Sequence, residues 1–175
     1  MDEIVLRDLL TSNPQDDGAA EALARILADG QRWEELVQLL LDRIEFAPAG
    51  NPSLYRPLAE VLDQKLKQPA EALVVLLDGL RTPADDEVLG DYISMLAEKV
   101  DAWDNVLAAY HRLLEDGDDT APIHRRIAGW YSAVGSQDES IEHRRALYSL
   151  DPTDNANIEE LQRYYEEIGA WPELA

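Results

Sequence analysis

The sequence predicts an all-α protein, a right-handed α-solenoid of antiparallel helix pairs with about ten helices. Three observations lead there. The segments "GQRWEEL", "DAWDNV" and "GAWPELA" return with Trp33, Trp103 and Trp171 spaced 70 and 68 residues apart. Midway between them stand "KQPAEAL" and "GSQDESI", so "WEEL", "PAEA", "WDNV", "DESI" and "WPEL" begin at 33, 69, 103, 138 and 171, in steps of 36, 34, 35 and 33. A period near 34 over a whole chain marks stacked two-helix repeats, none of which can bury its apolar face alone. Finally, every stretch between turns carries apolar residues at helical spacing, and none alternates as a strand does.

Taken in order, "DEIVLRDLLTSNP" reads as a lone second helix closed by Pro14, a half-unit over 1–16. Full units follow at about 17–52, 53–86, 87–120 and 121–154. Their first helices carry Leu23, Ala24 and Leu27, then Leu58, Ala59 and Leu62, then Ile93, Ser94 and Ala97, then Ile127, Ala128 and Tyr131. Trp33 and Trp103 open second helices, where they are expected to lie mostly buried against a neighbouring helix. The unit at 53–86 holds one extra residue, placed between its helices around "DQKLKQ". Pro48, Pro83 and Pro152 close units, while Pro52 and Pro69 suit a first helical turn, which tolerates a missing N–H.

The clearest unit is 121–154. Its first helix carries Ile123, Ile127, Ala128 and Tyr131 and ends at Gly135, suited to a left-handed cap. Acidic Asp138 and Glu139 then favour the positive end of a second helix carrying Ile141, Leu147, Tyr148 and Leu150. The last half-unit, 155–175, has a first helix "NANIEELQRYYEEIG" with the stripe Ile158, Leu161, Tyr165 and Ile168, and "WPELA" only begins its second helix. Both ends therefore read as half-units of a longer array.

This 34-residue pattern, with small and large apolar positions in two helices and a closing Pro, resembles the tetratricopeptide repeat (TPR), in degenerate, bacterial-type form, along nearly the whole chain. The resemblance implies one repeat domain over 1–175, a TPR-like superhelix. The sequence departs from the pattern in two ways: "LLEDGDDT" lacks the closing Pro, and Arg43 and Arg144 stand at second-helix positions that are usually apolar or small. Each arginine is expected to lay its stem along the core with its guanidinium outside.

Composition narrows the function. The 175 residues carry 36 acidic and 15 basic side chains, a formal charge of −21, which excludes phosphate neutralisation as the main task and opposes an anionic membrane surface. Such a surface attracts basic partners. There is no Cys, so neither disulfides nor thiolate chemistry is available. "MDEIVLRDLL" lacks the basic-then-apolar order of a secretory signal, and no stretch reaches the length of a membrane span. A cytoplasmic location is the expectation.

Chemistry-bearing clusters are sparse. His111, His124 and His143 fall on three helices without metal-ligand spacing. "LEDGDDT" and "DPTDN" lack the alternating acids of a calcium loop. Adjacent doublets such as Glu34 and Glu35, Glu159 and Glu160, or Glu166 and Glu167 point in different directions on a helix and make poor acid–base partners. With no nucleophile motif and no phosphate loop, the chain reads as a non-enzyme that needs no cofactor or metal. "HRR" at 124–126 and again at 143–145 forms a basic cluster. It is read as local salt bridging to Asp138, Glu139, Glu142 and the next unit's acids, or else as a patch receiving an acidic motif.

What the TPR resemblance implies is a protein–protein interaction scaffold that binds a partner's peptide or helix along the concave face of successive first helices. Carried over by repeat position, that face comprises Glu21, Arg25 and Asp29; Arg56, Glu60 and Asp63; Asp91, Met95 and Glu98; Arg125 and Ser132; and Glu159, Arg163 and Glu166. Its mainly acidic character points to a basic or mixed-charge segment of another protein, and away from nucleic acid and membrane. The Asn positions with which chaperone-binding members clamp a C-terminal carboxylate are missing. The alternatives are a self-assembling or structural spacer, associating through its truncated terminal repeats, and a ligand-sensing regulatory repeat region.

Overall fold

In the computed structural model, residues 2–47, 54–80, 87–116 and 120–169 are described. They form ten α-helices and no strand: α1 (Glu3–Ser12), α2 (Asp17–Asp29), α3 (Trp33–Phe46), α4 (Tyr55–Glu60), α5 (Pro69–Gly79), α6 (Glu87–Val100), α7 (Trp103–Asp116), α8 (Ala121–Ala133), α9 (Gln137–Leu150) and α10 (Asn155–Ile168). Pro48, Pro52, Pro83 and Trp171 lie outside the described residues.

Local chemistry starts and stops these helices. Asp16 and Asp154 cap α2 and α10 by accepting from the backbone N–H of Ala19 at 2.9 Å and of Asn157 at 3.1 Å, satisfying donors that the first turn leaves open. The second helices lack such side-chain caps at Arg32, Gln68 and Ser136. They place acids in the first turn instead: Glu34 and Glu35, Glu71, and Asp138 and Glu139. There the helix dipole favours negative charge.

The turn within each repeat is one device used five times. Positive φ occurs at Gln31 (54°), Lys67 (60°), Asp101 (53°), Gly135 (85°) and Gly169 (69°), the residue where a helix ends in the left-handed conformation. The next residue's N–H then reaches back to a carbonyl of the preceding helix: Arg32 to Leu27 at 2.8 Å, Ala102 to Ala97 at 2.9 Å and Ser136 to Tyr131 at 2.8 Å. Gln68 reaches to Leu62, also at 2.8 Å, across one residue more.

That additional residue is the one assigned by sequence to the connection between the helices. The structure takes it up inside the first helix, where α4 runs on into a π turn over Val61–Lys65 and the N–H of Leu66 bonds the carbonyl of Val61 at 3.1 Å. A π turn is how a helix absorbs one surplus residue without breaking its hydrogen-bond ladder.

The left-handed conformation costs an L-residue roughly 1 to 2 kcal/mol that glycine avoids. Lys67→Gly and Gln31→Gly should therefore each stabilise the protein, by about 0.5 to 1 kcal/mol after glycine's greater unfolded-state entropy is subtracted. Both side chains are exposed. Melting temperatures should rise in each variant, and a fall would mean that the side chain holds the turn together.

The helices group into two compact units. Met1–Arg81 with Asp91–Ala102 forms one, and Thr82–Gly90 with Trp103–Ala175 forms the other. The first buries Leu6, Leu23, Leu27, Leu58, Leu73 and Leu96 among others, and the second Val106, Ile123, Ile127, Leu147 and Leu161. Within the second unit α8 and α9 run antiparallel. Ser140, early in α9, donates to the carbonyl of Ala128 late in α8 at 2.8 Å, and His143 meets His124 nearer the start of α8. Along the predicted apolar run of α9, Ile141 and Leu147 are buried but Tyr148 and Leu150 stay exposed. On α10 the stripe divides similarly, with Leu161 and Tyr165 buried and Ile168 exposed.

Trp33 and Trp103 are more covered than exposed without being fully enclosed, in keeping with the expected burial. Each stands at the first position of its helix, where no preceding turn lies under the ring to cover one side of it. The ammonium of Lys65 lies 5.3 Å from the Trp33 ring. Trp130, inside α8, is fully covered by the core, the one tryptophan among the described residues that is.

Candidate functional site

The residues assigned to the first-helix face lie on five helices of the two units, with Asp63 in the π turn that continues α4. On α2, Glu21, Arg25 and Asp29 are exposed, and Arg25 reaches Glu21 at 3.9 Å. On α4, Arg56 pairs with Glu60 at 3.0 Å. Asp91, Met95 and Glu98 are exposed on α6. In the second unit Arg125 on α8 bonds Asp154 at 2.9 Å, and on α10 Arg163 bonds Glu160 at 2.8 Å while Glu159 is exposed. Every arginine of the set is thus engaged by a carboxylate. Asp29, Asp91, Glu98 and Glu159 have no ion pair with any described residue.

Asp63 does not belong to an open face. It is 5% exposed, in the middle of the π turn, with Lys99 Nζ at 2.6 Å and the Tyr92 hydroxyl at 3.4 Å from its carboxylate oxygens. In this wider turn it falls beside buried Leu62. Tyr92 also donates toward the carbonyl of Ala59 at 3.4 Å. Burial first, and then the Asp63 carboxylate, pushes its phenol up to about 12, so it remains a neutral donor. Asp63 and Lys99 join successive first helices inside one unit and serve the fold.

The basic cluster is also engaged. Arg125 bonds the N-cap residue of α10, Asp154, whose carboxyl is held below the usual carboxylate range first by the Asn157 backbone N–H and then by Arg125. The Arg126 guanidinium lies over the Trp130 ring at 5.9 Å and occupies the space a Cβ on Gly90 would need. Arg144 reaches Glu160 at 3.6 Å, and Arg145 donates to the Tyr165 hydroxyl at 2.6 Å. The two acids seen to receive arginines of this cluster both belong to the start of the next helix: Asp154 caps α10 and Glu160 lies in its second turn.

Two further placements follow the sequence more closely. Arg43 and Arg144 keep their side chains largely covered and pair with Asp17 and Glu160. Glu35, one of the acid doublets, belongs to a surface network in which Arg32 bonds Glu3 at 2.7 Å and Glu35 at 2.6 Å, and Arg7 bonds Glu35 at 2.8 Å. The hydrogen bonds from Arg32 hold both carboxyls below their usual range. Beside this network α1, α2 and α3 enclose an open cleft of about 680 Å³, lined by Leu10, Leu23, Leu39 and Phe46 with Arg7 and Asp42 at the rim.

The three histidines, read from the sequence as standing on three separate helices, meet in the structure. His124 Nδ1 and His143 Nδ1 lie 2.9 Å apart, the His111 ring is centred 5.2 Å from that of His143, and His111 Nε2 is 3.2 Å from the Tyr131 hydroxyl. The rings lie tilted against one another, and among the described residues no three His, Cys, Asp or Glu are placed to hold a metal ion. Nor is any described helix long and apolar enough to cross a membrane.

No family profile matches the chain, and no curated protein does. Among solved structures it is similar to YrrB, titled a TPR protein with an unusual peptide-binding site, at 15% identity and a TM-score of 0.47 over 90% of this chain and 80% of that one. It is also similar to pilF of Pseudomonas aeruginosa (19%, 0.44, 93% of this chain and 71% of that one) and to MamA (12%, 0.44, 94% and 89%). The fold assignment rests on the molecule's own recurring turn. Its architecture is TPR-like: pairs of helices joined by the same left-handed turn at intervals of about 34 residues.

Proposed function

We propose that the chain is a protein-interaction scaffold whose first-helix residues receive a basic or mixed-charge segment of another protein. One observation carries this reading. The arginines of the face are each occupied by an acid, whereas Asp29, Asp91, Glu98 and Glu159 keep uncompensated charge. Repeat scaffolds present such side chains on rigid helices and leave the partner to supply the opposite charge.

Binding of a lysine-rich peptide should then weaken as salt rises, because exposed charges are screened within about 8 Å at physiological ionic strength. Asp63 and Glu60 are poor test positions, the first because it is buried and the second because it already pairs with Arg56. The combined variant Asp29→Lys, Asp91→Lys and Glu98→Lys should lose at least ten-fold in affinity by titration calorimetry, with far-UV circular dichroism unchanged. Undiminished affinity in that variant would remove the first-helix face from the proposal. Self-association has the exposed Leu150 and Ile168 in its favour, and sedimentation over a concentration series would detect it.

A further inference from the structure

Three imidazoles from three consecutive helices meet inside the second unit. His111 comes from α7, His124 from α8 and His143 from α9, with ring centres 5.2 Å apart for His111 and His143 and 5.1 Å for His124 and His143. Tyr131 of α8 stacks on His143 at 5.8 Å and 25°, and its hydroxyl lies 3.2 Å from His111 Nε2. All four side chains are partly buried.

The 2.9 Å approach of His124 Nδ1 to His143 Nδ1 has room for one hydrogen. In the neutral pair one ring donates its N–H and the other accepts with its lone pair. A first proton from solvent is carried on the outer Nε2 of the donor ring, and the N–H···N bond survives. A second must fill the acceptor's lone pair. It leaves two N–H groups pointing at each other and two cations side by side, with the third imidazole next to them.

The surroundings do little to offset that charge. Among the described residues no carboxylate bonds a ring nitrogen of the three histidines. Asp104 of α7 and Glu139 and Glu142 of α9 face Tyr131 at longer range and, after burial, help to raise its phenol. The flanking cations are engaged elsewhere: Arg125 by Asp154, Arg126 over Trp130, Arg144 by Glu160 of α10 and Arg145 by Tyr165 of α10.

We infer that the His111–His124–His143 cluster is an acid-sensitive joint: double protonation of the His124–His143 pair breaks its hydrogen bond and loosens the packing of α8 on α9. Burial first, and then the neighbouring imidazoles, holds His143 down at about 4, and burial followed by His111 lowers His124. Both groups therefore bind protons less well folded than unfolded. Their contribution to stability is complete above the ordinary histidine range near 6.5 and is lost as the pH falls from there toward 4.

The experiment compares the full chain with His143→Gln and His124→Gln, which keep a polar side chain but cannot take up the charge. Urea unfolding is followed by circular dichroism at pH 7 and pH 5. Relative to either variant, the wild-type unfolding constant should rise about ten-fold more over this interval. The titration of surface carboxylates is common to all three proteins and cancels. Because a variant could fold poorly, the imidazole resonances of the wild type are also followed by NMR, with one ring expected to titrate near pH 4. Parallel pH dependence of wild type and variants, or three rings titrating independently near pH 6.5, would overturn the inference.

Discussion

Trp130→Ala is expected to destabilise the second unit by about 3 to 5 kcal/mol, the range for removing a large aromatic side chain from a core. The ring is 6% exposed. It stands edge-on to Tyr110 at a centroid distance of 4.5 Å and lies 6.0 Å from the ring of Trp103, contacts that contribute beyond area burial. Trp33→Ala removes a partly exposed ring and should cost about half as much, since part of its surface already faces water. Urea unfolding followed by far-UV circular dichroism would rank the two variants, and the reverse ranking would place the core elsewhere. With two compact units in the chain, the transitions must be fitted without assuming a single step.

Lys99→Met is expected to cost more than Asp63→Leu, although the second replaces the more buried residue. Removing the lysine leaves a carboxylate that is 5% exposed with only the Tyr92 hydroxyl to answer it. Breaking a buried pair in this way costs roughly 3 to 5 kcal/mol, reduced here to about 2 because the Lys99 side chain is 49% exposed and its bond is partly screened. Asp63→Leu removes the buried charge itself and should be nearly neutral. Adding Asp63→Leu to Lys99→Met should therefore recover most of the loss. Additive losses in the double variant would mean that the two side chains act independently.

Sequence periodicity placed the starts of four second helices at 33, 69, 103 and 138, within one residue of where they begin, because a two-helix repeat writes its core at fixed intervals, as in Leu23 and Leu27, Leu58 and Leu62, and Ile123 and Ile127. Residue type announces the left-handed turn at Gly135 and Gly169, whereas Gln31, Lys67 and Asp101 adopt it without a glycine. Asp63 was assigned to the open face by counting along an α-helix, and the π turn made that count wrong. The histidine cluster was beyond a reading of single helices, because its members meet only when α7, α8 and α9 pack together. One faint signal existed: His111 and His143 lie 32 residues apart, close to one repeat, which sets them on successive second helices with a first helix between.

The widened turn at Val61–Lys65 shows how such an array copes with an insertion. A residue added to a connecting loop would be met by changing the angle between two helices, and each later repeat would inherit the error. Here one surplus residue is taken up within a single helical turn, like a leap day in a calendar. The left-handed residues stand at 31, 67, 101, 135 and 169, so the step that contains the π turn is 36 residues and the three that follow are 34 each. The turn that follows is left unaltered: Lys67 takes the same left-handed conformation as Gln31 before it and Asp101 after it, so the connection between helices keeps its form although the helix leading into it has gained a residue.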